Sequence, residues 1–428
     1  MEPVVSQFGD LNKEEIGRYG RQLIIPEFGM EGQRRLKAAS VLIVGTGGLG
    51  SPLALYLAAV GVGRIGLVDY DVVDSSNLQR QIVHGESTVG ALKVDSAEQR
   101  LRDINPFLQI DKYNVLLTSE NAVEIITPYD VVIDGTDNFP TRYLVNDACV
   151  KLGKPNVYGS ILRFEGQLSV FYAKEGPCYR CMFPEPPPPG LVPNCAEAGV
   201  LGMLPGVIGT LQATEVVKII TGVGYVMVGR MLLYDALEMS FTTIKVRKNP
   251  NCPVCGVKHE DVQLIDYEAF CGVPAHDHVT DNKVASPIVD LTGVVMSEET
   301  LDLNAPVPQI NVQELKARYD NQDDLYILDV RNPEEFEIAV LENTVKLPKP
   351  QILLAAQEIA AGRTTLEESI LKDIPRDREI IVHCRSGVRS TDVIHVLREL
   401  GYDPKKLVNL EGGILAWAKQ IDNTMPVY

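Results

Sequence analysis

A cysteine near the carboxyl end of the chain lies where its surroundings would stabilise a reactive thiolate. Cys384 ends the apolar run that starts at residue 379 and precedes a predicted helix over 391–400, so it falls in a strand-to-helix loop. Arg385 and Arg389 lie in the same loop. Loop N–H groups, a helix start and guanidinium charges all favour the thiolate over the thiol. We therefore predict that Cys384 is a nucleophile and not an inert core thiol.

Four further cysteines form two C-x-x-C pairs, which is the spacing of metal ligands. The pairs are Cys178 with Cys181 and Cys252 with Cys255. Four thiolates held in two short turns can close a tetrahedral site around zinc that has no open position for chemistry. The alternatives are two redox dithiols or four buried cysteines. Pro253 and Gly256 suit a metal-binding turn, which favours a structural zinc ion at the end of a domain.

A glycine-rich loop lies between a predicted buried strand over 41–44 and a predicted helix over 52–59. Its glycines are Gly45, Gly47, Gly48 and Gly50. They satisfy G-x-G-x-x-G, in which glycine permits a tight turn and lets phosphate groups approach the backbone N–H groups at the helix start. The pattern predicts a βαβ nucleotide-binding unit over 41–71, but by itself it does not identify the nucleotide.

Charged residues follow the next strand, which is predicted over 64–68. Asp69 lies about 20 residues after the loop, where a carboxylate can bind ribose hydroxyl groups. Arg80 and Lys93 then lie close to the phosphate loop in sequence. A hydride-transfer enzyme has no clear use for two such cations, whereas a triphosphate and its pyrophosphate leaving group need their charge neutralised. Surface ion pairing is the alternative for either residue alone.

Two acidic residues follow a further apolar run over 129–133. Asp134 and Asp137 fall at the carboxyl end of this predicted strand, and open α/β sheets bind ligands at that edge. A carboxylate there can hold magnesium that bridges phosphate oxygens. The alternative is that one of the two merely caps the next helix.

The spacing of these motifs predicts two α/β domains, because a chain of 428 residues exceeds one typical domain. Strand and helix patterns alternate up to residue 257, with helical segments predicted over 12–40 and 201–220. The following stretch is polar and contains Gly and Pro, and a new α/β pattern begins near residue 306. We predict a nucleotide-binding domain over 1–257, a linker over 258–305 and a second domain over 306–428.

Composition excludes several classes of partner. A formal net charge of −17 argues against binding to nucleic acid or to an anionic membrane surface. The first ten residues are acidic and lack the apolar run of a signal peptide, which indicates a cytoplasmic protein. Its eight cysteines should therefore be reduced, so paired cysteines point to metal binding or catalysis.

Taken in order, the motifs of residues 15–257 resemble the ubiquitin-activating-type superfamily of ThiF and MoeB adenylyltransferases. The motifs are Gly45–Gly50, Asp69-Tyr-Asp71, Ser76–Gln81, Val89-Gly-x-x-Lys93, Asp134–Asn138 and Cys178-x-x-Cys181. The resemblance implies a Rossmann-like fold with a mostly parallel central sheet. It also implies ATP as the nucleotide and a homodimer as the functional assembly.

The resemblance assigns roles to individual residues. The residues implied to bind the nucleotide are the four loop glycines, Asp69 with Asp71, Asn77, Arg80 and Lys93. Asp137 is implied to hold Mg²⁺. Arg21 resembles the arginine that the superfamily donates across a dimer interface into the partner's site. The substrate implied is the C-terminal Gly-Gly tail of a ubiquitin-like sulfur-carrier protein, whose carboxylate attacks the α-phosphorus of ATP to give an acyl-adenylate and pyrophosphate.

Cys195 follows a run of consecutive prolines that excludes helix and central strand. It could be an ordinary small residue at the start of a helix. It could instead be a thiol near the adenylate that forms a transient thioester or disulfide with the carrier. The sequence leaves both interpretations open.

The second domain resembles a rhodanese. The loop from Cys384 to Arg389 encloses four residues, one fewer than a cysteine phosphatase loop, which suits sulfane sulfur better than phosphate. The segments Asp329–Phe336 and Glu411–Trp417 also resemble rhodanese motifs. The resemblance implies a smaller α/β domain in which Cys384 carries a persulfide within the loop of Arg385 and Arg389. The sulfur would come from an upstream donor such as a cysteine desulfurase.

Together the domains predict one reaction sequence, in which the first activates a carboxylate and the second supplies sulfur to give a carrier thiocarboxylate. Fused proteins of this kind serve molybdopterin (molybdenum cofactor), thiamine, cysteine or tRNA sulfur pathways, and the sequence does not choose among them. The two alternatives are a non-catalytic sulfur-relay scaffold and an NAD-dependent oxidoreductase. The latter would leave Arg80, Lys93 and Asp137 without a role.

Overall fold

The computed structural model describes residues 1–188, 198–275 and 306–427. The chain divides into two compact units, Met1–Pro287 and Ile288–Tyr428. Each unit is built on its own sheet. The predicted α/β class is therefore confirmed for both halves of the chain.

The first unit contains an eight-stranded sheet in the order β3-β2-β1-β4-β5-β6-β7-β8. The strands are β1 Ser40–Val44, β2 Arg64–Val68, β3 Gln109–Tyr113, β4 Val131–Asp134, β5 Asn156–Leu162, β6 Glu165–Phe171, β7 Arg230–Asp235 and β8 Ser240–Lys245. The pairs from β3 to β5 are parallel, and those from β5 to β8 are antiparallel. The sheet is thus Rossmann-like at one end and carries an antiparallel extension at the other.

Helices cover both faces of the parallel strands. The α-helices of this unit are Lys13–Arg18, Gly20–Leu23, Gly29–Ala38, Gly50–Val60, Lys93–Ile104, Ala122–Ile126, Phe139–Leu152, Tyr179–Met182, Leu204–Thr221 and Tyr267–Cys271. Alternate residues of β1 enter different cores: Val41 and Ile43 pack in one and Leu42 and Val44 in the other. A strand buried on both faces reads as a continuous apolar run, which is why its position was predictable.

The helical segment predicted over 12–40 is three short helices. Pro26 lies between the second helix, which ends at Leu23, and the third, which begins at Gly29. Proline restricts the residue before it to extended conformations and removes a backbone donor, so a continuous helix could not form. The apolar segment predicted over 201–220 is the buried helix Leu204–Thr221, as expected.

The stretch from residue 258 to residue 275 was expected to belong to a linker, but it packs on the first unit. Tyr267 and Cys271 are buried in the same core as Tyr143. The Tyr267 hydroxyl also donates to Asp147 Oδ2 at 2.9 Å. The stretch is polar overall, so its composition did not reveal that these two residues are buried and hold it against the first unit.

The second unit contains a five-stranded parallel sheet in the order β11-β10-β12-β13-β9. The strands are β9 Gln309–Ile310, β10 Ile327–Asp329, β11 Thr344–Lys346, β12 Ile380–His383 and β13 Leu407–Leu410. The α-helices are Val312–Asp320, Lys349–Ala360, Val388–Glu399 and Gly413–Gln420. Asn311 and Glu314 have the residue types and spacing of a capping box in the sequence, and they form that box at the start of the first helix.

Among the described residues, no helix is both long and apolar enough to cross a membrane.

Candidate active sites

The glycine-rich loop lies where the order of strands in the large sheet reverses. The neighbours β1 and β4 both end at this point, and open α/β sheets bind ligands in the crevice that such a reversal creates. Gly45 has φ +89°, a conformation that favours glycine. A Cβ added to Gly50 would lie 2.0 Å from the Gly45 carbonyl oxygen, so only glycine allows this turn.

Asp69 makes hydrogen bonds that hold this loop in place. Its Oδ2 atom accepts from the Thr46 N–H at 2.8 Å and from the Thr46 hydroxyl at 2.9 Å. Its Oδ1 atom accepts from the Asp71 N–H at 3.0 Å. The carboxylate predicted to bind ribose therefore also fixes the loop at the start of the crevice. Sequence spacing predicted the position of Asp69 but not these contacts.

The two predicted phosphate cations lie on the connection that follows β2. Lys93 Nζ is 2.8 Å from Asp71 Oδ2, and the lysine side chain is only 6% exposed. Arg80 is half-buried, and a Cβ on Gly48 would come within 3.8 Å of Arg80 Cγ. Asn77 is also half-buried and lies one helical turn before Arg80. The structure thus brings Arg80 against the glycine-rich loop and buries Lys93 in an ion pair.

The two acidic residues at the carboxyl end of β4 occupy different environments. Asp134 is completely buried, its Oδ1 atom accepts from the Thr136 N–H and hydroxyl, and burial raises its pKa. Asp137 is exposed. Neither caps the next helix, because Asn138 does so by accepting from the Thr141 N–H at 2.9 Å. An exposed carboxylate at this sheet edge could hold a hard cation, so Asp137 fits the magnesium role better than Asp134.

Arg21 and Cys195 are the two remaining residues that the sequence predicted for this site. Arg21 is exposed on the short helix Gly20–Leu23, a position from which it could reach a second chain. Cys195 lies outside the described residues, so both interpretations of its thiol remain predictions.

His84 is a residue of this site that the sequence did not reveal. Its ring is buried, with Nε2 3.2 Å from the Thr46 carbonyl oxygen and Nδ1 2.9 Å from Ser96 Oγ. Burial lowers its pKa, and the charge of Lys93 lowers it further. A lone histidine in a polar connection carries no spacing signal, so only the fold places it against the loop.

The four paired cysteines converge on one point. Their sulfur atoms all lie within 4.8 Å of one another, with Cys178 Sγ 3.5 Å from Cys252 Sγ and Cys181 Sγ 3.2 Å from Cys255 Sγ. Sulfurs bound to one tetrahedral ion at about 2.3 Å would be about 3.8 Å apart, so small adjustments would admit a metal. Gly256 permits the second turn, since a Cβ there would be 2.5 Å from the Cys252 carbonyl oxygen. The cluster could hold a metal ion such as zinc.

In the second unit, Cys384 lies at the centre of a loop of donors. Its sulfur accepts from the Gly387 N–H at 3.1 Å and lies 3.4 Å from the oxygen of the Ser390 hydroxyl, which itself donates to Asn409 Oδ1 at 2.6 Å. Gly387 has φ +97°, and it begins the helix Val388–Glu399. The sulfur is fully buried beneath this loop. The structure thus places Cys384 in the strand-to-helix loop where the sequence predicted it, with a loop N–H directed at its sulfur.

The arginines of the loop have different surroundings. Arg389 is buried and makes two hydrogen bonds to the Glu335 carboxylate, at 2.6 and 2.8 Å. Arg385 is half-buried, and its carbonyl oxygen accepts from the Leu415 N–H at 3.1 Å. The Glu335 pair was not foreseen, because the two residues are 54 positions apart. The ion pair between Arg389 and Glu335 therefore holds the loop in its closed conformation.

This ion pair should make the stability of the second unit depend on pH. Burial alone raises the pKa of Glu335, but the hydrogen bonds and charge of Arg389 outweigh it and hold the pKa below its usual range. The stabilisation is then present above the unfolded pKa of about 4.3 and is lost as pH falls through the lower folded value. We expect Glu335→Gln to lower the free energy of unfolding by about 2 kcal/mol at pH 7 and by much less at pH 3.

Urea unfolding followed by tryptophan fluorescence tests this prediction, because the one tryptophan of the chain, Trp417, is buried in the second unit. Glu358→Gln is the matched control, since its partner Arg363 is exposed and the pair should contribute little. Equal losses at both pH values, or equal losses in both variants, would contradict the assignment.

The fold and these residues define a class: a nucleotide-binding α/β enzyme unit with a four-cysteine cluster, joined to a unit with a buried cysteine in a strand-to-helix loop. Two family models match the corresponding segments, the ThiF family over residues 19–254 and the rhodanese-like domain over residues 311–420. The chain belongs to the family of ThiF–rhodanese adenylyltransferase/sulfurtransferases. It is therefore an enzyme with both transferase activities.

Relatives match along the whole chain. A Mycobacterium tuberculosis protein named probable adenylyltransferase/sulfurtransferase MoeZ is 43% identical over 100% of this chain and 98% of its own length. Adenylyltransferase and sulfurtransferase MOCS3 of Culex quinquefasciatus is 43% identical over 98% of this chain and 90% of its own. The sulfur carrier protein adenylyltransferase of Thermus thermophilus is 56% identical over 61% of this chain and 98% of its own.

Among solved structures, that of Escherichia coli MccB with MccA-N7isoASN is similar to this chain. Its TM-score is 0.52 at 21% identity, over 57% of this chain and 76% of that one. At this identity the likeness supports the fold alone. The transferase assignment rests on the family and on the full-length relatives, and it leaves the oxidoreductase and scaffold alternatives without support.

Proposed function

We propose that this enzyme adenylates the C-terminal glycine of a ubiquitin-like sulfur-carrier protein and then converts it to a thiocarboxylate with sulfur from Cys384. One observation carries the proposal. A single chain combines a phosphate loop flanked by Arg80 and Lys93 with a buried cysteine whose sulfur accepts a hydrogen bond from an N–H of its own loop. The first set suits activation of a carboxylate by ATP, and the second suits storage of sulfane sulfur.

The first step needs positioning and charge stabilisation more than covalent catalysis by the protein. The carrier carboxylate attacks the α-phosphorus of ATP, and pyrophosphate leaves. N–H groups of the glycine-rich loop bind phosphate oxygens, while Arg80 and Lys93 neutralise the charge that moves onto the leaving group. Asp137 would hold Mg²⁺, which when bound neutralises further phosphate charge. Asp69 would bind the ribose hydroxyl groups and Asn77 the phosphates, so that together they orient the nucleotide.

The second step uses a persulfide on Cys384. Its terminal sulfur attacks the acyl carbon, AMP leaves, and the carrier is joined to Cys384 by an acyl disulfide. A second thiol then attacks the Cys384 sulfur and supplies the two electrons that release the carrier thiocarboxylate. Cys195 is one candidate for that thiol, and an external thiol is the other. A further thiol reductant must then cleave the disulfide left on Cys384 and release its thiolate, to which a cysteine desulfurase, the class of donor proposed here, would transfer sulfane sulfur to restore the persulfide.

Two measurements on the same reaction test the proposal. Labelled pyrophosphate should exchange into ATP only when a carrier ending in Gly-Gly is present. Intact-mass analysis of the carrier should show the gain that corresponds to replacement of one oxygen by sulfur. A panel of carriers from the molybdopterin, thiamine, cysteine and tRNA pathways would identify the pathway from the carrier that responds. Exchange without the mass gain would leave adenylation standing and overturn sulfur transfer, and absence of both would overturn the proposal.

We also propose that the four-cysteine cluster holds structural zinc. Cys252→Ser should reduce zinc from one equivalent per chain to none and should destabilise the first unit. We expect a loss on the order of 3–5 kcal/mol, a fraction of the roughly 10–16 kcal/mol that zinc contributes in small metal-dependent domains. Metal analysis and scanning calorimetry measure the two effects. Cys384→Ser is the control, because its thiol lies in the other unit, and zinc retained in Cys252→Ser would contradict the site.

A further inference from the structure

His84 contacts the glycine-rich loop from a buried position. It lies on the connection between β2 and the helix Lys93–Ile104, and its side chain bridges two elements. Nε2 is 3.2 Å from the Thr46 carbonyl oxygen, and Nδ1 is 2.9 Å from the Ser96 hydroxyl. Only 8% of the residue is exposed. The ring therefore joins the phosphate loop to the helix that carries Lys93.

The partners of the ring determine its tautomer. A carbonyl oxygen can only accept, so Nε2 must carry the proton that makes the Thr46 bond. Two charged groups face the ring, Lys93 and Asp69. Burial and, second, Lys93 hold the pKa of His84 below its usual range, although Asp69 opposes the shift. The ring is then neutral at pH 7, and Nδ1 is left as the acceptor for the Ser96 hydroxyl, whose oxygen also lies 2.8 Å from Thr88 Oγ1.

This tautomer fixes the first peptide of the loop. The Thr46 N–H and hydroxyl are held by Asp69 on one side, while the Thr46 carbonyl is held by His84 on another. In a planar trans peptide the N–H points opposite to the carbonyl. The bond from His84 to Thr46 therefore sets the direction of the Gly47 N–H, which lies at the centre of the glycine-rich motif.

We propose that His84 is a positioning residue of the adenylation site, which holds the Thr46 carbonyl through Nε2–H so that the loop N–H groups face the phosphates of ATP. The proposal rests on the adenylation function stated above. His84 touches neither ATP nor the carrier in this role and acts through the Thr46 peptide. Its removal should weaken the use of ATP and leave the use of the carrier unchanged.

Two substitutions separate the contacts of the ring. The amide nitrogen of Gln reaches close to the place of Nε2, so His84→Gln can still donate to the Thr46 carbonyl. The shorter Asn side chain reaches close to the position of Nδ1. His84→Asn can therefore contact the Ser96 hydroxyl but can no longer donate to the Thr46 carbonyl. We expect kcat/KM for ATP to fall about tenfold in His84→Asn, the effect of one buried hydrogen bond. In His84→Gln the fall should be no more than about threefold.

Pyrophosphate exchange at varied ATP and at varied carrier measures these effects. The KM for carrier should stay constant in both variants, whereas a merely destabilised protein would lose active enzyme with every KM unchanged. His395→Gln in the second unit is the control for loss of a histidine and should leave exchange as it is. Equal kcat/KM for ATP in His84→Gln and His84→Asn would overturn the proposal.

A spectroscopic readout tests the tautomer independently of activity. The chain has six histidines, so ¹⁵N-histidine spectra are simple, and the His84 signal is the one absent from His84→Gln. We expect the proton on Nε2 at pH 7, and a proton on Nδ1 alone would overturn the proposal. Wild-type enzyme that showed no carrier-dependent exchange would instead contradict the proposed function and leave the tautomer measurement standing.

Discussion

Replacement of Cys384 by alanine should abolish formation of the carrier thiocarboxylate while carrier-dependent pyrophosphate exchange continues at the wild-type rate. We expect a loss of roughly 10³-fold or more in sulfur transfer, the size seen when an enzyme loses its nucleophile. Exchange should persist because it is complete once the acyl-adenylate forms, and every residue proposed for that step lies in the first unit. Intact-mass analysis of the carrier and isotope exchange measure the two activities in one sample.

The reason for so large an effect is the loop that surrounds the sulfur. The Gly387 N–H donates to Cys384 Sγ at 3.1 Å, and Ser390 Oγ, which donates to Asn409 Oδ1 at 2.6 Å, lies 3.4 Å from the sulfur. No other cysteine in the described part of the second unit could take its place. The N–H of Ile414 also donates to the Cys384 carbonyl oxygen at 3.0 Å, so the backbone around the sulfur is held by the helix Gly413–Gln420.

Ser390→Ala provides a graded test of the same loop. It removes the hydroxyl that lies 3.4 Å from Cys384 Sγ and donates to Asn409 Oδ1, and it keeps the Gly387 N–H. Because the loop then loses one buried hydrogen bond beside the sulfur, sulfur transfer should fall about tenfold and exchange should not change. Thr424→Ala, which changes an exposed hydroxyl elsewhere in the second unit, is the matched control.

Thiocarboxylate formed by Cys384→Ala at even a tenth of the wild-type rate would contradict the role of Cys384 as the sulfur donor.

The parts of the fold that could be predicted are those that a local sequence pattern specifies. The apolar run of β1 and the glycines after it predicted a strand, a turn and a helix, because a doubly buried strand has few other solutions. The capping box of Asn311 and Glu314 predicted a helix start, since both hydrogen bonds lie within one turn. The metal-ligand spacing of the cysteines predicted a cluster, although the two pairs are separated by about 70 residues of chain.

The contacts that could not be predicted join residues distant in sequence. Nothing near Arg389 indicates that its partner is Glu335, and nothing near His84 indicates that it meets Thr46. Asp134 and Asp137 looked equivalent in sequence, but one is fully buried and the other exposed. Residues 258–275 read as a linker because two buried side chains, Tyr267 and Cys271, are too few to give a periodic pattern. Each of these depends on packing that only the folded chain establishes.

Replacement of Lys93 by alanine should reduce carrier-dependent pyrophosphate exchange by about 10²- to 10³-fold, the usual cost of one preorganised group that stabilises transition-state charge. Lys93 is 6% exposed and paired with Asp71, so its ammonium group is already held in place before ATP binds. Arg80→Ala should show a loss of similar size, with more of it in kcat than in KM if the guanidinium meets the leaving pyrophosphate.

Lys112→Ala is the matched control, because Lys112 also pairs with carboxylates but lies exposed at the edge strand β3. Its exchange activity should equal that of the wild type. Sulfur loading of Cys384 from a donor should be unchanged in Lys93→Ala, which shows that the second unit remains folded. A loss of less than about fivefold in Lys93→Ala would contradict a role in neutralising phosphate charge.

The same variant tests the proposed dimer. If Arg21 enters the site of a partner chain, Arg21→Ala should be as inactive as Lys93→Ala, because each substitution damages every site of a homodimer. A heterodimer of the two variants, isolated with two different tags, has one site that combines Lys93 of one chain with Arg21 of the other. Two-fold symmetry then predicts about half the wild-type exchange activity. Activity as low as that of two inactive separate variants would mean that Arg21 acts within its own chain, and an active Arg21→Ala homodimer would mean that Arg21 has no role in exchange.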